Sequence, residues 1–169
     1  DYEETLRSIV QLAVPRVADW AVISVVDHNG MLRQLEVAHA DPGKLRFALE
    51  LQQKYPPDPA RDEGQYRVLR SGNSEFYPYI PPEILEKTAR DPEHLRLLRE
   101  LNLHSGMIVP MQVRGRVLGV LTLIRAESQQ SYREEDLEFA ESLAARSALA
   151  VSNAQLYRDA QEANRVKAD

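Results

Sequence analysis

Four histidines, His28, His39, His94 and His104, are the side chains best suited to bind a metal or haem iron, or to move a proton near neutral pH. Their settings differ. His28 stands in a His-Asn-Gly turn and His94 at the polar start of a helical segment, so both are expected to face solvent. His39 ends a strand-like run on its apolar phase, and His104 opens another strand beside a loop-rich stretch. A neutral imidazole at either place suits iron or zinc. The ordinary fate of a strand-end histidine is a hydrogen bond, and no two of the four have the close spacing of a metal site. Arg67 and Arg70, one helical turn apart, suit an anionic ligand, although solvation is the commoner role. Tyr55, Tyr66, Phe76, Tyr77 and Tyr79 lie in the same stretch, either to stack on a planar ligand or to pin loops onto a sheet. The neighbouring carboxylates Asp62 and Glu63 fall in a proline-rich loop with no serine or histidine partner fixed by spacing, which argues against catalysis. Cysteine is absent, so disulfides, thiolate metal sites and thiol nucleophiles are excluded.

The elements that must position these groups are legible in the hydrophobic pattern. Leu6, Ile9, Val10, Ala13, Val14 and Val17 recur at helical spacing, and Pro15 stops that helix near Val14. Residues 20–27 are rich in β-branched side chains and read as a strand. The turn at His28, Asn29 and Gly30 returns the chain into a second strand ending at His39. Asp41 caps a helix with Pro42 at its first position, and the prolines after Tyr55 stop it. Residues 56–103 are interrupted: a short helix over 64–71 leaving through Gly72, an extended piece over 74–79, a helix opened by Pro81 and Pro82, and another from Asp91 to Leu103. Such a stretch over a sheet is where ligand pockets and lids lie. A hairpin over 104–125 turns at Arg114 and Gly115, and its second strand is apolar on both faces, as a central strand covered on both sides requires. Ser131, with Glu134 three residues on, forms a capping box for a last helix of about thirty residues. Its part beyond Asn153 is expected to project.

The fold class is therefore α/β (α+β): an antiparallel sheet of about five or six strands sandwiched by helices, with long helices at both ends. The 169 residues suffice for one domain with a core of its own. Asp1 is not a natural start, so the chain reads as an internal fragment, a single domain whose residues 154–169 form a helical linker to a missing C-terminal output domain. The net charge of −5 gives no reason to expect nucleic acid. No apolar run is long enough to span a membrane, residues 1–5 read as acidic and polar rather than signal-like, and a cytoplasmic setting is expected.

Residues 105–111 (SGMIVPM), followed by Gly115, Gly119, Val120, Leu121 and Leu123, resemble the central hairpin of GAF domains. Tyr132 stands where that family often has phenylalanine, Asp136 matches its acidic residue at the last helix, and residues 150–157 (AVSNAQLY) resemble its closing helix. Ala18, Asp19 and Trp20 are similar to the lead into its first strand. The resemblance covers about residues 5 to 160. It implies a sheet with helices on one face, a small-molecule pocket on the other, and dimerisation through the first and last helices. Residues 162–169 resemble the linker ahead of the phosphoacceptor helix of sensor histidine kinases, although a serine/threonine phosphatase or a cyclase is an alternative output. The absence of cysteine excludes a bilin held by a thioether and free-methionine sulfoxide reductase activity, and the family's cyclic-nucleotide pattern is missing.

The expected role is a non-catalytic sensory module that requires no cofactor and binds an unidentified small molecule. His39, Tyr66, Arg70, Tyr77, His104 and Met107 form the candidate ligand set, with Met107 and Met111 also expected in the core. The last helix is apolar too far round its circumference for one sheet-facing stripe. Leu6, Ile9, Ala13, Leu143, Ser147, Val151 and Ala154 are accordingly expected to pair two subunits in a parallel homodimer. The alternative is a ligand-free connector that only dimerises and relays.

Overall fold

The computed structural model describes residues 2–168. Helix α1 (Tyr2–Ala13) leads into strand β1 (Trp20–Val26), which returns as β2 (Leu32–His39). The interrupted stretch becomes α2 (Pro42–Lys54), α3 (Gln65–Ser71), the short strand β3 (Glu75–Tyr77), α4 (Pro82–Thr88) and α5 (Pro92–Glu100). The hairpin β4 (Ser105–Val113) and β5 (Arg116–Arg125) and the long helix α6 (Glu134–Ala168) complete it. The described strands form one antiparallel sheet in the order β2-β1-β5-β4-β3. No described helix is long and apolar enough to cross a membrane.

Local chemistry sets the ends of these elements. Asp41 accepts a hydrogen bond from Gly43 N at 2.9 Å and starts α2; Asp91 accepts one from His94 N at 2.8 Å and starts α5. Helix α5 stops at Glu100, short of the expected Leu103, because Asn102 turns into the left-handed region with φ 56°. Helix α6 does not use the expected box of Ser131 and Glu134. Its first turn is closed instead by Asp136, whose carboxylate accepts from Arg133 N at 2.8 Å, while Ser131 Oγ lies 3.1 Å from His104 Nε2. Tyr132 causes the offset: its buried ring points inward and its hydroxyl donates to Val17 O at 2.7 Å, so the chain turns into the helix only after it.

Strand alternation divides the core in two. Ala21, Ile23 and Val25 of β1, Met107, Val109 and Met111 of β4, and Leu121 and Leu123 of β5 face α1 and α6. Trp20 and Val22 point the other way, to Ala48 and Leu51 of α2 and to Leu98 and Leu101. The central strands are thus covered on both sides, as their apolar runs imply. Gly119 permits the innermost pairing: a Cβ there would lie 2.2 Å from Ser24 O on β1. Where β1 begins, the buried Asp19 carboxylate accepts from Ala126 N (2.7 Å), Ser128 N (3.1 Å) and Ser128 Oγ (2.7 Å). Burial opposes its charge, but these bonds and Arg125 outweigh burial and hold its carboxyl below the usual range.

Candidate functional site

On the sheet face turned away from α1 and α6, the interrupted stretch encloses a cavity of about 280 Å³. Trp20 of β1, Gly106 and Ile108 of β4 and Ile124 of β5 line its sheet side. Gly106 keeps this floor low, since a Cβ there would come within 3.2 Å of Ile124 Cδ1 and 3.3 Å of Ile80 Cδ1. Leu51 of α2 and Tyr55 at its C-terminal cap, Tyr66 of α3, Ile84 and Leu85 of α4, and His94 and Leu98 of α5 form the walls. Pro56, Pro57, Asp58, Arg61, Glu63 and Gly64 border it from the loop between α2 and α3.

That loop is tied at both ends and in the middle. Arg70 donates to Pro59 O at 2.7 Å and to Arg61 O at 2.6 Å, Arg61 donates to Lys87 O at 2.7 Å, and Arg90 donates to Pro56 O. Gly64 N donates to both oxygens of Glu75, at 2.9 and 3.2 Å, and Tyr77 OH donates to Glu75 Oε1 at 2.8 Å. Burial and the adjacent Glu75 carboxylate push the Tyr77 hydroxyl up to about 12, so it stays protonated and donating. Tyr66 OH accepts from Leu32 N at 3.0 Å, joining α3 to the start of β2.

His94 is buried, against the expectation that it faces solvent. Its ring stacks flat on Tyr55, with centroids 4.1 Å apart and planes 2° apart, and its Nδ1 accepts from Arg90 N at 3.0 Å. Burial first, and Arg90 next, hold its imidazole below the usual range, so the ring is neutral at pH 7. The missed signal was phase: His94 shares the inward face of α5 with Leu98 and, beyond the helix end, Leu101. Trp20 was missed similarly, although it alternates in step with Val22.

Of the candidate ligand set, Tyr66, Tyr77 and Met107 border the cavity, although Met107 packs with the core on the opposite face. The other three do not border it. Arg70 holds the loop from outside, His39 Nδ1 accepts from Asp41 N at 2.9 Å, and His104 bonds Ser131 and meets the edge of Tyr79 at 5.9 Å. Burial also holds the His39 imidazole below its usual range, partly offset by Asp41 and Asp19. Among the described residues, no group of three or more histidine or carboxylate side chains is placed to hold a metal.

The residues expected to pair subunits lie elsewhere than at the surface. Leu6, Ile9, Ala13, Leu143, Ser147 and Val151 are buried within the chain, where α1 and α6 pack on the sheet, and Ala154 is half-buried. One stripe of α6 therefore satisfies the sheet completely. Its outer side exposes Phe139, Leu149, Leu156 and Tyr157, and α1 exposes Leu12.

These features define an α/β sandwich domain whose terminal helices pack on one sheet face and whose cavity occupies the other. The chain belongs to the GAF domain family, whose model matches residues 1–151. Its fold is similar to that of GAF3 from Slr1393 of Synechocystis sp. PCC6803 in its photoproduct state (18% identity, 95% of this chain and 99% of that one, TM-score 0.68). A GAF domain/HD domain protein from Geobacter sulfurreducens is similar as well (21% identity, 92% and 95% covered, TM-score 0.68). So is the GAF-B domain of DevS from Mycobacterium smegmatis (18% identity, 94% and 98% covered, TM-score 0.64). A comparison with curated proteins gives no match.

Proposed function

We propose that this GAF domain binds a small molecule in the cavity between the sheet and residues 56–64 and relays occupancy along α6 to an output domain in the same polypeptide. The observation that carries the reading is the shared sheet. β1, β4 and β5 contribute the cavity floor on one face and the seat of α6 on the other. A ligand that favours one packing of floor and walls biases the seat of the helix by its difference in affinity for the two arrangements. From Leu156 onward α6 is exposed to Lys167, a lever free of the sheet. Leu149 and Leu156 lie seven residues apart on the side opposite the buried stripe, the spacing of a coiled-coil seam, which supports a parallel dimer through α6. The likeness of residues 162–169 to the linker of sensor histidine kinases favours a kinase as the output over a phosphatase or cyclase.

Native mass spectrometry against the denatured mass tests this. A dimer carrying mass that is lost on denaturation is the expected result. A dimer at bare polypeptide mass supports instead a connector that relays without a ligand, a reading favoured by the cavity volume of about 280 Å³, near the lower limit for small-molecule sites. A monomer removes the dimeric relay.

A further inference from the structure

Every described charged side chain that borders the cavity is already bound to a partner within the chain. Arg61 donates to Lys87 O at 2.7 Å and lies 3.9 Å from both Asp58 and Glu63. Arg90 donates to Pro56 O. Asp58 accepts from Ala60 N at 3.0 Å, and Glu63 lies 3.1 Å from Lys87 Nζ. Glu75 accepts from Gly64 N and Tyr77 OH, with Arg67 Nη1 3.9 Å away. A charged ligand would have to displace one of these partners or enter an apolar space without a counter-charge, and an unpaired buried charge is the costliest group to desolvate.

The hydroxyls at the cavity are engaged as well. Tyr55 OH donates to Asp91 at 3.1 Å, Tyr66 OH accepts from Leu32 N, Tyr77 OH donates to Glu75, and Thr88 Oγ1 donates to Ile84 O at 2.8 Å. What polarity remains is uncharged: the amides of Gln52 and Gln65, the Trp20 indole and the neutral His94 imidazole. Aliphatic side chains are concentrated here instead. Four of the chain's six isoleucines, Ile80, Ile84, Ile108 and Ile124, border the cavity, together with leucines of α2, α4 and α5. The other two, Ile9 and Ile23, lie in the core layer on the opposite face of the sheet.

Size narrows the class further. A dry apolar cavity of about 150 Å³ accepts benzene, and this one measures about 280 Å³. We infer that the cavity takes an uncharged, mainly apolar compound of about two rings, held by burial of its surface and not by ion pairing. This rests on the cavity being the sensory site.

The division of the isoleucines supplies the assay. With their δ1 methyl groups labelled with ¹³C, Ile80, Ile84, Ile108 and Ile124 report on the cavity, and Ile9 and Ile23 report on the layer behind the sheet. Three probes share one ring system and differ in charge: 2-ethylnaphthalene is neutral, 2-naphthoate an anion and 2-naphthylmethylammonium a cation. The expected result in ¹H–¹³C spectra is a set of ring-current shifts at the four cavity methyl groups, with Ile9 and Ile23 nearly unmoved. Titration should show 2-ethylnaphthalene bound about a hundredfold tighter than either ion. Equal or tighter binding of an ion at the same methyl groups overturns the inference while leaving the sensory reading in place. Shifts confined to Ile9 and Ile23 overturn it by placing the apolar site in the other layer. Cavity methyl groups indifferent to all three probes also overturn it, and remove the sensory reading too only if the native mass is that of the bare polypeptide.

Discussion

Replacing Gly119 with alanine puts a methyl group against the middle of the sheet. The added Cβ would lie 2.2 Å from Ser24 O, 3.0 Å from Val25 Cα and 3.2 Å from Ser24 C, all backbone atoms of β1. No rotamer change relieves a backbone clash, so β1 and β5 must separate by most of an ångström where Val25 pairs with Gly119. Both strands are sandwiched between packed layers, which limits the retreat. Overpacking of this kind costs about 3 kcal/mol, a large part of the stability of an ordinary domain. For a chain of this length that lowers Tm by about 6–12 °C. Urea denaturation followed by Trp20 emission measures it, because Trp20 lies on the displaced strand. Gly115→Ala is the control. Gly115 has φ 77° but nothing within 4 Å of its would-be Cβ, so only local strain of about 1 kcal/mol applies. A midpoint shift for Gly119→Ala no greater than that for Gly115→Ala would refute the reasoning.

Asp19→Ala should cost about 2–4 kcal/mol in the same assay, because Ala126 N loses its acceptor in a buried place. Since the folded carboxyl is depressed, the stability it confers is present above its unfolded value, near 3.8, and is lost as pH falls below that; the variant should show a flatter acid limb. His94 behaves likewise at milder pH. Its folded imidazole is depressed, so its contribution is complete above about pH 6.5 and declines as pH falls from there, when the unfolded chain takes the proton first. His94→Gln should reduce the loss of stability between pH 7.5 and 5, His39 contributing in the same direction; an unchanged slope counts against the burial argument. Leu149→Arg with Leu156→Arg, at positions 52% and 59% exposed, should leave Tm nearly unchanged and convert the proposed dimer to a monomer in size-exclusion light scattering. A dimer that persists places the seam elsewhere.

The reading of residues 117–124 as a central strand held because a run apolar on both faces has only one economical place, between two covering layers. Asp41 and Asp91 announced their helices because a cap acts within a few residues. Two expectations failed for a common reason. Ser131 had the spacing of a cap, but a distant backbone acceptor, Val17 O, draws Tyr132 inward and moves the helix start to Glu134. His94 looked polar beside Pro92 and Glu93, yet Tyr55, thirty-nine positions earlier, covers its ring.

What the sequence determined by itself was the succession of helices and strands, the turns between them and the exclusion of thiol chemistry, because periodicity, capping and composition are properties of neighbouring residues; the GAF family was legible separately, in the likeness of its motifs. Tertiary structure alone decided which stripe of α6 the sheet consumes, turning Leu143, Ser147 and Val151 into core and leaving Leu149 and Leu156 outside. It also decided that Trp20, Gly106 and His94 share one cavity while His39, His104 and Arg70 stand apart from it. A hydrophobic pattern records that a side chain is buried. Which partner buries it depends on how segments far apart in the chain cross one another, and that is settled only when the layers pack.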